Sequence, residues 1–98
     1  MNLLILKALR RGPMHGYGIT SLIQQVSEDV LEIEEGSLYP ALHKMEHEGW
    51  ITSQWALSDT NRRVRYYKLT PKGERQLATE EREYRRVSAA IAKALRYV

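Results

Sequence analysis

The spacing of apolar residues changes period twice along this chain, and the two changes limit the folds open to it. Between Gly16 and Ser27, Ile19, Leu22, Ile23 and Val26 recur at i, i+3, i+4 and i+7, which is one face of a helix. The same spacing returns after Gly36 and Ser37 in Leu38, Ala41, Leu42 and Met45, and it stops at Gly49. There the period falls to two: Ile51, Ser53, Trp55 and Leu57 alternate with Thr52, Gln54 and Ala56. Turn-forming residues fill Ser58 to Asn61, and Val64 to Leu69 reads as a second strand rich in β-branched and aromatic residues. Thr70 and Pro71, an N-cap and N1 pair, open a last helix expected to run to about Tyr97. At the front, Leu3 to Leu9 reads as a short helix closed by Arg10-Arg11-Gly12-Pro13.

This order predicts a mainly α fold with a β-hairpin wing. The expected architecture is a winged helix-turn-helix over residues 1–70, followed over 71–98 by one long C-terminal dimerisation helix. The third helix is the expected recognition helix, with Ser37 as its N-cap and Pro40 in its first turn. Residues 58–63 form the expected wing tip. A length of 98 residues suits one core rather than two. The chain has no cysteine, which excludes disulfides and thiolate metal sites. No apolar run approaches the ~20 residues of a membrane span, and the apolar start lacks a basic leader and cleavage site, so a cytoplasmic location is expected.

A net charge of +3 says little, but its distribution says more. Glu28, Asp29, Glu32, Glu34 and Glu35 form one acidic stretch, whereas Arg62, Arg63, Arg65 and Lys68 gather around Tyr66 and Tyr67. On the third helix, inward packing of Leu38, Leu42 and Met45 leaves Ser37, Tyr39, Pro40, His43, Lys44 and His47 at the surface. A solvated surface explains either segment alone. Together they place a recognition helix beside a cationic hairpin on one duplex, the helix reaching base edges and the arginines reaching phosphates.

Two rival chemistries fit the sequence less well. His43-Lys44-Met45-Glu46-His47 matches the H-x-x-E-H pattern of inverted zinc peptidases, but a chain this short has little room for a third ligand and a substrate cleft. Gly12, Gly16 and Gly18 follow no predicted strand and make no phosphate loop. No enzyme activity, metal or cofactor is therefore expected. The last helix carries Leu77, Tyr84, Val87, Ile91 and Leu95 as a narrow apolar seam among charged residues. A second copy of the chain is the expected partner; folding back on the first helix is the alternative, and both hold if the seam packs on the other subunit's first helix.

The blocks Leu4-Ile5-Leu6, Gly12-Pro13-Met14-His15-Gly16-Tyr17-Gly18-Ile19, Gly36-Ser37-Leu38-Tyr39-Pro40-Ala41-Leu42, Glu48-Gly49-Trp50-Ile51 and Tyr67-Lys68-Leu69-Thr70-Pro71-Lys72-Gly73 together resemble the PadR family of bacterial transcriptional regulators. The resemblance covers nearly the whole chain. It implies a homodimeric repressor on an inverted-repeat operator, with Tyr39, Pro40 and Lys44 of the recognition helix, His15 and Tyr17 before it, and the wing arginines on DNA. It also implies a short-tailed member. Some family members stack ligands on a tryptophan of the last helix; here that helix has none, so the resemblance names no effector. A winged-helix module that binds protein rather than DNA is the competing reading. Because His43 and His47 are assigned to a DNA face, purified protein is expected to hold no stoichiometric zinc; one tightly bound equivalent by elemental analysis would overturn that assignment.

Overall fold

The computed structural model describes residues 2–98. Along the chain it contains α1 (Asn2–Leu9), β1 (Met14–His15), α2 (Gly16–Val26), α3 (Glu35–His47), β2 (Ile51–Leu57), β3 (Arg63–Leu69) and α4 (Pro71–Tyr97). The apolar faces read from helical spacing converge on one core, except that Val26 at the end of α2 is exposed. Ile5 and Leu6 of α1, Ile19 of α2, Leu38, Leu42 and Met45 of α3 and Ile51 of β2 are almost wholly buried, closed over by Tyr67 and Leu77. Burying each such aliphatic side chain contributes roughly 1.5 to 3 kcal/mol, before the conformational entropy that folding gives up.

The hairpin sits in the expected place, with β2 antiparallel to β3 in a register that sets Ile51 opposite Leu69 and Trp55 opposite Arg65. The sheet has a third strand that the sequence did not reveal. Met14 and His15 pair with Tyr67 and Tyr66, giving the order β1-β3-β2. Two residues are too few to show alternation.

The start of α3 differs from expectation. Ser37 does not cap the helix, which begins at Glu35 after Glu34. The backbone N–H groups of Ser37 and Leu38 both donate to the Glu34 carbonyl, at 3.0 and 2.9 Å, so the first turn already closes there. Glu35 adds a carboxylate at the positive end of the helix. Pro40 consequently lies inside the helix rather than in its first turn. Its nitrogen has no hydrogen to give the Gly36 carbonyl, and the exposure of Gly36 leaves that carbonyl to water.

The long helix starts as expected. Thr70 caps α4 by accepting from the Gly73 N–H at 3.0 Å, with Pro71 in the first turn. Gly73 is required for a separate reason: a Cβ at this position would run into the Trp50 carbonyl and crowd the Leu69 side chain at 2.8 Å. The start of α4 therefore rests directly on the backbone that enters β2. Gly73→Ala is expected to lower stability by about 1 to 3 kcal/mol despite the better helix propensity of alanine, as backbone must move to admit the methyl group. Thermal unfolding by circular dichroism checks this; an unchanged or raised midpoint would contradict the close approach.

Candidate nucleic-acid interface

Three segments line one open side of the molecule: the start of α2, Tyr39 of α3, and the wing. Inward packing of Leu38, Leu42 and Met45 fixes the roll of α3 about its axis. Ser37, Pro40, His43, Lys44 and His47 are accordingly exposed, and Tyr39 is partly so. Among the described residues, no group of three or more histidines, cysteines or carboxylates comes together around a possible ion.

Tyr39 is the half-buried member of this face. Its ring lies against Gly16, where a Cβ would approach the hydroxyl oxygen to 2.7 Å and ring carbons to 3.0 and 3.2 Å. The tyrosine thus joins the first part of α3 to the first residue of α2. His15, expected to reach DNA, is also a structural cap: its Nδ1 accepts from the Gly18 N–H at 3.1 Å. The imidazole stacks with Tyr17 at 6.3 Å and meets the edge of Tyr66 at 5.7 Å. Tyr17 itself is largely exposed.

The wing tip is ordered by its own turn. Ser58 N–H donates to the Arg62 carbonyl at 2.8 Å, the Arg62 N–H donates to the Ser58 hydroxyl at 3.2 Å, and Asn61 adopts a left-handed φ of 61°. Asn tolerates this region better than most residues. Arg62 and Arg63 are exposed and form no ion pair among the described residues. Arg65 is held differently. Its Nε donates to the Ser53 hydroxyl at 2.8 Å and a terminal nitrogen reaches Glu46 at 3.4 Å, while Ser53 donates to the same Glu46 oxygen at 2.6 Å. Two of its five N–H donors are therefore used within the protein, and it ties the wing to α3.

Sequence reasoning missed this Glu46-Ser53-Arg65 link. Glu46 stood out only as part of H-x-x-E-H, and nothing local signals that β2 and β3 carry its partners to it. Between the three segments lies an open groove of about 750 Å³, lined by His15, Tyr17, Tyr39, Trp55, Arg62 and Arg65 among others. Tyr67 also borders it, and burial holds its hydroxyl above the ordinary phenol range, so it stays neutral at physiological pH. The groove presents hydroxyl, imidazole and guanidinium donors with no carboxylate but Asp59 along its lining. This chemistry suits a polyanion that offers phosphates on one side and base edges on the other.

The seam of α4 divides in two. Leu77, expected at a dimer contact, is buried in the protomer's own core, because the first turns of α4 cover α1 and the base of the sheet. Lys7 of α1 meets Glu81 of α4 at 3.2 Å near the end of that contact. From residue 82 onward every residue is exposed, including Tyr84, Val87, Ile91 and Leu95. No helix is long and apolar enough to cross a membrane among the described residues.

Comparison with known proteins agrees with this arrangement. Residues 5–79 match the family described as "Transcriptional regulator PadR-like family". The negative transcriptional regulator PadR of Bacillus subtilis is 33% identical over 73 residues, which are 74% of this chain and 40% of that protein. The chain spans less than two thirds of the length of the curated relatives it matches. Among solved structures, a transcriptional regulator from Clostridium thermocellum superposes with a TM-score of 0.87 at 29% identity, covering 95% of this chain and 90% of that one. Bacillus subtilis PadR in complex with operator DNA gives a TM-score of 0.71 at 31% identity, covering 80% of this chain and 44% of that one. With fold, motif blocks and most of the chain in agreement, the protein belongs to the PadR-like family of transcriptional regulators.

Proposed function

We propose that this protein binds duplex DNA sequence-specifically as a homodimer and represses transcription from an inverted-repeat operator, acting in the cytoplasm. The observation that carries this reading is the open groove that Tyr39 of α3 shares with His15, Tyr17, Arg62 and Arg65, together with the exposed polar face of the same helix. In this reading α3 enters the major groove and directs Ser37, His43 and Lys44 at base edges, while Arg62 and Arg63 meet phosphates. The relative solved on operator DNA supports the partner, and the relative named as a negative regulator supports the sign of regulation.

The exposed part of α4 supports the homodimer. Tyr84, Val87, Ile91 and Leu95 form an apolar stripe on a helix that leaves its own core, and a second copy brings an identical stripe. Because Ile91 touches no core, Ile91→Asp should leave the fold intact and separate the subunits. Sedimentation velocity is expected to show a dimer for the parent and a monomer for the variant; a monomeric parent would refute the seam as an interface.

The two DNA-facing segments should differ in the energy they supply. An operator recovered by selection from a random duplex pool provides the specific ligand. Arg62→Ala should weaken binding to operator and scrambled duplex alike and lower the salt slope by roughly 0.9 for each phosphate it no longer neutralises. Lys44→Ala should penalise operator over scrambled duplex by about 1 to 3 kcal/mol. Tyr39→Phe keeps the ring on Gly16 and so separates the hydroxyl's role in reading from the ring's role in packing. Equal penalties on both duplexes for Lys44→Ala, or a purely operator-specific penalty for Arg62→Ala, would reverse the assignment.

A further inference from the structure

The strands of the wing run on beyond the core, and an aromatic side chain lies where they leave it. Trp55 is 52% exposed, although Ile51 and Tyr67 nearer the base of the same hairpin are buried. It lies outside the core cluster, but two guanidinium groups lie over its ring: Arg63 at 5.1 Å from the centroid and Arg65 at 5.8 Å. The strand register explains the meeting. Trp55 sits directly opposite Arg65, and Arg63, two residues away on the same strand, shares that face.

The two arginines are not equivalent. Arg65 is anchored by Ser53 and Glu46, and its charge is balanced by that carboxylate. Arg63 forms no ion pair among the described residues. At 5.1 Å from the centroid Arg63 is within reach of a cation–π attraction, and no carboxylate among the described residues takes its N–H donors, which stay available to phosphate oxygens. A continuous chain of interactions therefore runs from Glu46 on the reading helix through Ser53 and Arg65 to Trp55 and on to Arg63.

We infer that Trp55 is a positioning residue for DNA binding: it holds Arg63 on its ring, in an orientation fixed relative to α3, so that Arg63 meets the phosphate backbone without first giving up its freedom of rotation. The inference rests on the DNA-binding reading above. Its expected effect follows from an exposed cation–π interaction, about a two- to five-fold weakening of affinity per wing when the ring is removed.

The test uses the full chain and a fluorescently labelled duplex of mixed sequence, titrated at several salt concentrations. Trp55→Leu is expected to bind more weakly by that factor with an unchanged melting temperature, and Trp55→Phe to retain most of the affinity. Arg63→Ala should cost much less in the Trp55→Leu background than in the parent. Arg63→Lys, which keeps the charge but not the stacking plane, should also bind more weakly, and it tests the inference independently of whether Trp55 variants fold. Equal weakening by Arg63→Ala in both backgrounds, or parental affinity in Arg63→Lys, would overturn the inference while leaving DNA binding intact. A parent protein with no salt-dependent affinity for the duplex would refute the DNA-binding reading and this inference with it.

Discussion

Four elements of the fold meet at the Thr70 hydroxyl and the backbone beside it. The hydroxyl donates toward the Gly49 and Trp50 carbonyls at 2.7 and 3.0 Å and accepts from the Gly73 N–H at 3.0 Å, while the Thr70 N–H donates to the Trp50 carbonyl at 3.0 Å. The end of α3, the start of β2, the end of β3 and the start of α4 are thereby fixed to one another within a few residues. Each such bond is worth only about 0.5 to 1.5 kcal/mol net, but leaving these partly buried groups unpaired would cost more. The close seating of Gly73 on Trp50 depends on the same knot. The wing and the long helix, which point to different tasks, both begin from it.

From this junction outward the structure passes from packing to charge. The base of the hairpin is held by Ile51, Tyr67 and Leu69 against the helices. Past them Trp55 and Leu57 are exposed, and the Glu46-Ser53-Arg65 link keeps the wing in place beside α3. Glu46 neutralises Arg65, so the cations left unbalanced are those at the tip. One arginine thus serves geometry and the others remain free for binding. Exposed ion pairs contribute little to stability, so the value of the Glu46 link lies in the angle it sets.

Much of this was legible in the sequence, because the signals were periodic or local. The change from helical to alternating spacing at Gly49 located the hairpin to the residue at its first strand, and Thr70-Pro71 located the start of α4. What stayed hidden depends on interactions between distant residues. The pairing of Met14 and His15 with β3 has no pattern of its own. The serine at position 37 resembles an N-cap, but the helix closes on Glu34 instead and the preference for serine is overridden. Leu77 and Ile91 share one heptad register, yet the first lies in the protomer's core and the second in the open, since a repeat records which residues are apolar and not what covers them. At the interface, the exposed face of α3 was readable from its buried face. The capping role of His15 and the engagement of Arg65 were not, since both concern a second function of a residue already assigned one.

The seating of Tyr39 on Gly16 has a consequence for how such a protein changes over generations. The ring resting on bare backbone ties α2 to the start of α3, and Ser37, His43, Lys44 and His47 take no part in that contact. Substitutions at those exposed positions cost the scaffold little, within about 0.5 kcal/mol either way. Those positions can therefore vary without putting the fold at risk. Gly16 is less free, because a side chain there must push the Tyr39 ring aside.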